Sequence, residues 1–197
     1  RGVGHQHQDA GSFQLARGAD WLSRETVGYA DSLGGGAPTS GPLAHNVLTF
    51  NDKGMANAYL KGSPRVTAVD RQLGYVYAAV DLTDAYRAVN TPDPARDDNP
   101  FCAHVEREFV FLRAQQALII LDRLEATQDN VRLAFLCHNE GGWTVQGDVC
   151  RAKTGGSELV VTTLKPMGWT HTVIDEAPGA TVHRPQKRLE VRVVGRQ

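Results

Sequence analysis

The chain has 197 residues, of which 41% are hydrophobic and 22% charged, and its formal net charge is -1. These proportions are typical of a globular protein with one sizeable core. Basic and acidic residues are interleaved, so no basic stripe indicates a nucleic-acid partner. The longest apolar run, residues 117–121, is too short to span a bilayer. The three cysteines lack CxxC spacing, which disfavours a zinc finger or a disulfide scaffold and leaves one disulfide open.

Short β-rich runs between turn signals dominate the chain, and helical periodicity is scarce. Segments 33–42 and 91–100 contain several prolines, and the first also contains several glycines, which predicts two loops. A short helix is expected near 83–89, and residues 113–116 predict a hairpin between the strands on either side. Strands are predicted at 12–17, 20–23, the end of 43–50, 65–70, 74–81, 104–112, 117–121, 131–137, 143–146, 159–164, 170–174 and 189–194.

This succession of about a dozen short strands predicts an all-β fold, a large antiparallel β-sandwich rather than a βαβ fold. No internal repeat or change of composition divides the chain, so residues 1–197 are expected to form a single domain. The sequence starts without an initiator Met or a signal peptide, and it starts inside a motif. We therefore expect it to be a piece of a longer protein.

Histidines near the first residue make the main candidate site. His5 and His7 would share one face of an extended strand, because residues i and i+2 point the same way. Glu25 and His45 could join them, since two imidazoles with a carboxylate and a water form a common zinc set that also suits other divalent first-row metals. The spacing is not a compact metal motif, so two polar surface residues at a chain end remain the competing interpretation.

Three stretches, taken in their order along the chain, resemble one known family. They are His5-Gln6-His7-Gln8-Asp9-Ala10-Gly11-Ser12-Phe13-Gln14-Leu15, then 21–29 with Trp21-Leu22-Ser23-Arg24-Glu25, then Ala44-His45-Asn46-Val47-Leu48. Together they resemble the heparinase II/III-like domain, which is the β-sandwich half of polysaccharide lyases such as heparinases and oligoalginate lyases. Residues 107–111 and 117–123 are also similar to the family's paired strands that end in Asp-Arg.

The resemblance implies a division of roles within the histidine pair. His5 would face the substrate cleft as the catalytic residue, whereas His7, His45 and an acidic residue would bind a structural zinc. The acidic position is Glu25 here, where the family usually has Asp. Three further residues are candidates for substrate binding: Arg24, Asn46 and His138.

The resemblance also implies a substrate and a reaction. Such lyases act on an acidic polysaccharide or oligosaccharide that contains uronic acid, such as alginate or a glycosaminoglycan. They remove the C5 proton and expel the 4-O-linked sugar, so a cationic or amide donor must offset the charge that develops on the uronate. The family's Tyr and a further Asn or His come largely from an N-terminal helical toroid, which these residues do not include. We therefore expect that helical domain as a partner, little lyase activity from this chain alone, and a periplasmic or secreted full-length protein.

Two other functions stay open. His-x-His followed by residues 38–46 loosely resembles the two motifs of a cupin, a metal-binding barrel, although the Glu expected shortly after His7 is absent. The second is a non-catalytic carbohydrate-binding domain, in which the histidines would be incidental and aromatic residues would contact sugar. Metal bound through His7 would favour the lyase domain or the cupin, and sugar binding without metal would favour the binding domain.

Overall fold

Short strands make up most of the described part of the chain, which in this computed structural model comprises residues 7–26, 32–56, 62–87, 99–165, 168–176 and 186–195. A four-residue helix, α1, spans Thr83–Tyr86, and two 3-10 turns span Gly34–Gly36 and Pro42–Ala44. The strands are β1 (Leu15–Arg17), β2 (Asp20–Ser23), β3 (Leu48–Phe50), β4 (Arg65–Arg71), β5 (Tyr75–Asp81), β6 (Cys102–Leu112), β7 (Ala117–Ala126), β8 (Arg132–Asn139), β9 (Trp143–Gln146), β10 (Val149–Thr154), β11 (Ser157–Thr162), β12 (Thr170–Asp175) and β13 (Lys187–Val194).

The described strands pair antiparallel in four sheets. The central sheet has the order β12-β13-β8-β3, and a second four-stranded sheet has the order β4-β5-β6-β7. A three-stranded sheet, β11-β10-β9, and the hairpin β1-β2 complete the set. Outside the central sheet, each strand pairs with its neighbours in the chain, which is the pattern of successive hairpins.

One face of the central sheet packs against both larger neighbouring sheets. Leu133, Phe135 and Cys137 alternate along β8, so their side chains share this inner face. Leu133 belongs to a core cluster with Val105 of β6, and Cys137 belongs to one with Cys150 of β10. Phe135 packs against both clusters. The second sheet and the three-stranded sheet therefore form the layer opposite the central sheet, as in a β-sandwich.

The other face of the central sheet is covered by the loop of residues 32–47. Leu136 of β8 packs there against Val47. Two charged residues of β13, Arg188 and Glu190, are also buried. Burying charges requires partners, and the loop and its surroundings provide them, as shown below.

The predicted strands correspond to observed ones, with three informative differences. The pattern does not predict β10, because its inward residues are only Cys and Ala while Arg151 and Lys153 lie on the solvent side. β7 continues past residue 121 to Ala126, because charged Asp122 and Arg123 have ion-pair partners on β6. The predicted helix near 83–89 is described only as far as Arg87, and α1 ends at Tyr86.

The predicted hairpin and part of the predicted loops lie within the described residues. Residues 33–42 contain the 3-10 turn Gly34–Gly36, which a bridge between Ser32 and Pro38 closes, and they end where the second 3-10 turn begins. Most of 91–100 lies outside the described residues. The hairpin at 113–116 is present between β6 and β7. Within the described residues, no helix has the length and apolar character needed to cross a membrane.

Candidate functional site

Three of the four residues predicted for catalysis or metal binding lie side by side. The ring centroids of His7 and His45 are 5.2 Å apart, and the rings are tilted by 54°. Nδ1 of His45 lies 3.3 Å from Oε2 of Glu25. We call these three residues the His–Glu cluster.

Backbone hydrogen bonds bring the three chain segments together. The N–H of Gln8 donates to the carbonyl of Ser40 at 2.8 Å, which joins the segment after His7 to the loop of residues 32–47. The N–H of Thr26 donates to the carbonyl of Ala44 at 3.0 Å, which joins the segment after Glu25 to the same loop. The Gly- and Pro-rich loop therefore serves to deliver the second histidine to the other two residues.

His45 is buried, and neither of its ring nitrogens makes a hydrogen bond. Its side chain is only 3% exposed, and both Nδ1 and Nε2 lack a hydrogen-bond partner. Leaving a buried polar group without a partner costs about 1–3 kcal/mol, so such groups call for a functional explanation. Imidazole nitrogen is a good ligand for zinc and related metals, and two imidazoles beside a carboxylate fit such an ion in chemistry and in burial.

The arrangement is not that of a complete metal site. Within the described residues, no group of three or more His, Cys, Asp or Glu side chains is placed so that it could hold a metal ion. In the cluster, His45 and Glu25 approach each other directly instead of surrounding a common centre. A metal would have to replace this direct contact.

Glu25 is kept ionised by its neighbours. The hydroxyl of Ser12 donates to Oε1, and the amide of Gln14 donates to Oε2 at 3.4 Å. Burial by itself raises the pKa of Glu25, but the His45 ring and the Ser12 hydroxyl outweigh burial and lower the pKa below its usual value. The carboxylate is therefore available to bind a cation near neutral pH.

Asn46 fixes the backbone around the cluster. Its Nδ2 donates to the carbonyl of Phe13 at 2.6 Å and to Oγ of Ser23 at 3.0 Å. Its Oδ1 accepts from the N–H of His138 at 2.8 Å and lies 2.9 Å from Nδ1 of the same residue. Its own N–H donates to Oγ of Ser12 at 3.2 Å. One side chain thus joins β2, β8 and the segment that carries Ser12, directly beside His45.

His138 belongs to a buried ionic network behind Asn46. Its Nε2 lies 2.9 Å from the carbonyl of Leu43 and 3.1 Å from Oε1 of Glu176. Both ring nitrogens of His138 therefore lie within hydrogen-bond distance of oxygen atoms. Arg188 donates to Glu176 at 2.7 Å and to Glu190 at 2.8 Å. Burial raises the pKa of Glu176, but His138 and Arg188 contribute to a net lowering, so Glu176 is an ionised carboxylate paired with the Arg188 guanidinium.

Arg107 connects the second four-stranded sheet to the same region. Its Nε and NH2 groups donate to the two carboxylate oxygens of Asp122, at 2.6 and 3.0 Å. Its NH1 group donates to the carbonyl of Gly11 at 2.8 Å and to that of Asn46 at 3.1 Å. The residue is fully buried. The sequence could have indicated that Arg107 is buried, because it takes an inward position among the apolar residues at 105–111. The sequence pattern did not predict its partners.

The remaining predicted site residues fall in three places. His5 lies outside the described residues. Arg24 is partly exposed, with NH1 3.9 Å from Oε1 of Glu140 and its guanidinium 5.1 Å from the centre of the Trp21 ring. Asn46 and His138 are fully buried. In this structure these two have no exposed surface for a substrate, and they hold the cluster from behind.

The sequence does not single out Ser12 or Glu176 as site residues, since neither belongs to a motif; both are recognised by their contacts. The described tyrosine hydroxyls are engaged elsewhere. Tyr75 donates to Asp70, Tyr77 donates to Glu108, and Tyr86 donates to a backbone carbonyl in the core.

Comparison with known proteins gives matches among solved structures alone. No protein-family model and no curated protein matches the chain. A mutant of heparan sulfate lyase HepC from Pedobacter heparinus superposes on 96% of this chain with a TM-score of 0.71 and 10% sequence identity. HepC itself, from the same organism, superposes on 97% of the chain with a TM-score of 0.69 and 10% identity. The chain has the fold of part of HepC.

The match to HepC covers 28% of the mutant chain and 29% of the other, so this chain spans less than a third of the length of HepC. At this coverage and identity, the HepC match concerns the fold. It confirms the predicted resemblance to the heparinase II/III-like domain and the predicted antiparallel β-sandwich. The described strands form separate antiparallel sheets and no barrel, so the cupin alternative is wrong.

Proposed function

We propose that this chain is the β-sandwich part of a polysaccharide lyase that cleaves a uronic-acid-containing glycan by β-elimination. The observation that carries the proposal is the HepC fold over 96% of the chain. The His–Glu cluster supports it, because it places a buried imidazole without a hydrogen-bond partner and an ionised carboxylate next to a second imidazole. The substrate is an acidic polysaccharide or oligosaccharide, either a glycosaminoglycan or alginate.

His7, Glu25 and His45 would hold a structural zinc, or another divalent metal. The support is the orphaned His45 ring and the combination of two imidazoles with a carboxylate. When bound, the metal would cross-link the three segments that carry its ligands. The chemistry then falls to side chains held in place around the metal.

The elimination needs three things from the protein. A base takes the C5 proton, the C4–O bond breaks as the C4–C5 double bond forms, and an acid protonates the leaving oxygen. Charge that develops on the uronate must be met by a fixed donor, and we assign that role to His5. Asn46 and Arg107 act as positioning residues, because they hold the segments on either side of the cluster.

The proton-transfer groups would come from another part of the protein. Each described tyrosine hydroxyl is already bonded away from the cluster. We therefore propose that a helical domain of the same, longer protein completes the site, and that the full-length protein is periplasmic or secreted.

The test is the ultraviolet absorbance of unsaturated uronate product from the full-length protein that contains this chain. Heparan sulfate and alginate are the acidic substrates, and dextran is the neutral control. We expect product with one acidic glycan, none with dextran, and little from residues 1–197 alone. Robust turnover by residues 1–197 alone would contradict the proposed division of the site. A full-length protein that binds these glycans without cleaving any of them would favour the carbohydrate-binding alternative.

A further inference from the structure

A groove of about 560 Å³ lies against the solvent-facing side of the three-stranded sheet. This volume falls within the range of roughly 300–1,000 Å³ that is usual for small-ligand sites. On β10, buried Cys150 and Ala152 alternate with exposed Arg151 and Lys153, so the two cations face outward. The residues that matter here are Gly141, Trp143, Gln146, Arg151, Lys153 and Lys187, all of which line the groove.

The cations of the groove are available to a ligand. Arg151 NH1 lies 3.0 Å from Glu158, and these side chains are 47% and 37% exposed. Lys187 Nζ lies 3.0 Å from Asp175, and these side chains are 44% and 46% exposed. Exposed pairs of this kind contribute about 0–1 kcal/mol, so an anionic ligand can compete for them. Lys153 is exposed and makes no ion pair with any residue in the described ranges.

The walls of the groove are fixed by close packing. A Cβ atom on Gly141 would lie 1.8 Å from the carbonyl oxygen of Lys153, so glycine alone lets the turn rest on β10. Gly142 has a φ of +85°, and a Cβ there would lie 2.9 Å from Cδ of Lys187. The indole N–H of Trp143 donates to the carbonyl of Lys187 at 2.9 Å. The turn at residues 141–142 is therefore held against the backbone of β10 and the start of β13.

The groove is also tied to the segment that leads into the His–Glu cluster. Asn139, at the end of β8, donates to the carbonyl of Leu22 at 2.7 Å. The next residue, Glu140, lies 3.9 Å from Arg24, which immediately precedes Glu25 in the chain. The turn at one end of the groove is thus joined to β2 and to the approach to the cluster.

We propose that this groove is a second binding site for an acidic sugar chain, separate from the His–Glu cluster. Lys153 and Arg151 bind a carboxylate or sulfate group, and the Gln146 amide contacts the sugar ring. The lining has three cations against the single carboxylate of Glu158, which favours an anionic ligand, and the Gln146 amide suits the hydroxyls of a sugar. The choice of an acidic glycan rests on the proposed function.

The test is calorimetric titration of residues 1–197 with three size-matched oligosaccharides: heparin-derived, alginate-derived and dextran-derived. The first carries sulfate, the second carries carboxylate alone, and the third is neutral. We expect binding of at least one acidic probe, with about fivefold weaker affinity in Lys153→Gln and in Arg151→Gln. Rising salt should weaken wild-type binding more than binding by either variant. Arg71→Gln, on exposed β4 of another sheet, is the matched control and should bind as the wild type does.

The outcomes separate this inference from the proposed lyase function. Backbone amide NMR shifts on adding the probe should concentrate at β9 and β10. If Lys153→Gln and Arg151→Gln bind the probe as tightly as the wild type does, the groove is not the binding site. This holds even if the full-length protein proves to be a lyase. Loss of binding in these variants would support the groove as the binding site, even if no elimination is detected.

Discussion

Replacing Asp122 by Asn removes the charge that balances Arg107 while nearly keeping the shape of the side chain. Arg107 is fully buried, and Asp122 is only 15% exposed. Burial alone lowers the pKa of Arg107, but Asp122 outweighs burial and the pKa is raised, so the guanidinium is charged. Removing one partner of a buried ion pair costs about 3–5 kcal/mol. This is a large part of a total stability of roughly 5–15 kcal/mol, and it corresponds to a fall in Tm of about 10 °C.

Urea unfolding followed by tryptophan fluorescence measures this effect. We expect a lower midpoint with an unchanged m-value, because the surface exposed on unfolding stays the same. Glu158→Gln is the matched control, since it breaks an exposed pair with Arg151 and should cost less than about 1 kcal/mol. If Asp122→Asn costs no more than this control, the view that Arg107 holds the sheet to the site is refuted.

Three further predictions concern the surroundings of the cluster. Asn46→Ala should cost about 2–4 kcal/mol in urea unfolding, because it leaves the buried Phe13 carbonyl and the His138 N–H without their partner; a loss below about 1 kcal/mol would contradict its proposed role. Glu176 has a folded pKa below its ordinary value of 4.5, so its contribution is complete above that pH and disappears as the pH falls through the folded pKa. Glu176→Gln should therefore flatten the loss of stability in acid, and an unchanged pH profile would refute this. The three cysteines are buried and form no disulfide, and burial raises the pKa of Cys137 to about 12; a thiol reagent should modify them only after unfolding, and rapid labelling of the folded chain would be contrary to the structure.

The fold was largely accessible from sequence because its signals are local. Alternating apolar residues, Gly- and Pro-rich connections and a four-residue hairpin each depend on a few neighbouring positions. β10 was not predicted because its inward residues, Cys150 and Ala152, are small and its other face is charged. The packing of the separate hairpins into two layers depends on contacts between side chains that are distant in sequence. It is seen in the core clusters of the structure and could not be predicted from periodicity.

The site was accessible in part, and mainly through resemblance. Ordered stretches around His7, Glu25 and His45 indicated one cluster, and the structure brings these residues together. The supports of the cluster could not be predicted in the same way. Arg107 and Asn46 meet across 61 positions of sequence, and His138 and Glu176 across 38. Such pairs leave no local sequence pattern. A charged residue in a strand has the same sequence neighbours whether its partner in the fold is water or a buried carboxylate.

His7, Glu25 and His45 are proposed to form one metal site, and zinc uptake by this chain is the decisive measurement. Residues 1–197 would be stripped with a chelator, titrated with zinc in a calorimeter and analysed for bound metal after dialysis. We predict one zinc ion per chain, lost in His45→Ala and retained in His171→Ala. The His171 ring lies 3.1 Å from Oγ1 of Thr163 and is not part of the His–Glu cluster. A folded wild-type chain that takes up no zinc at saturating concentration, or a His45→Ala variant that keeps it, would contradict the claim.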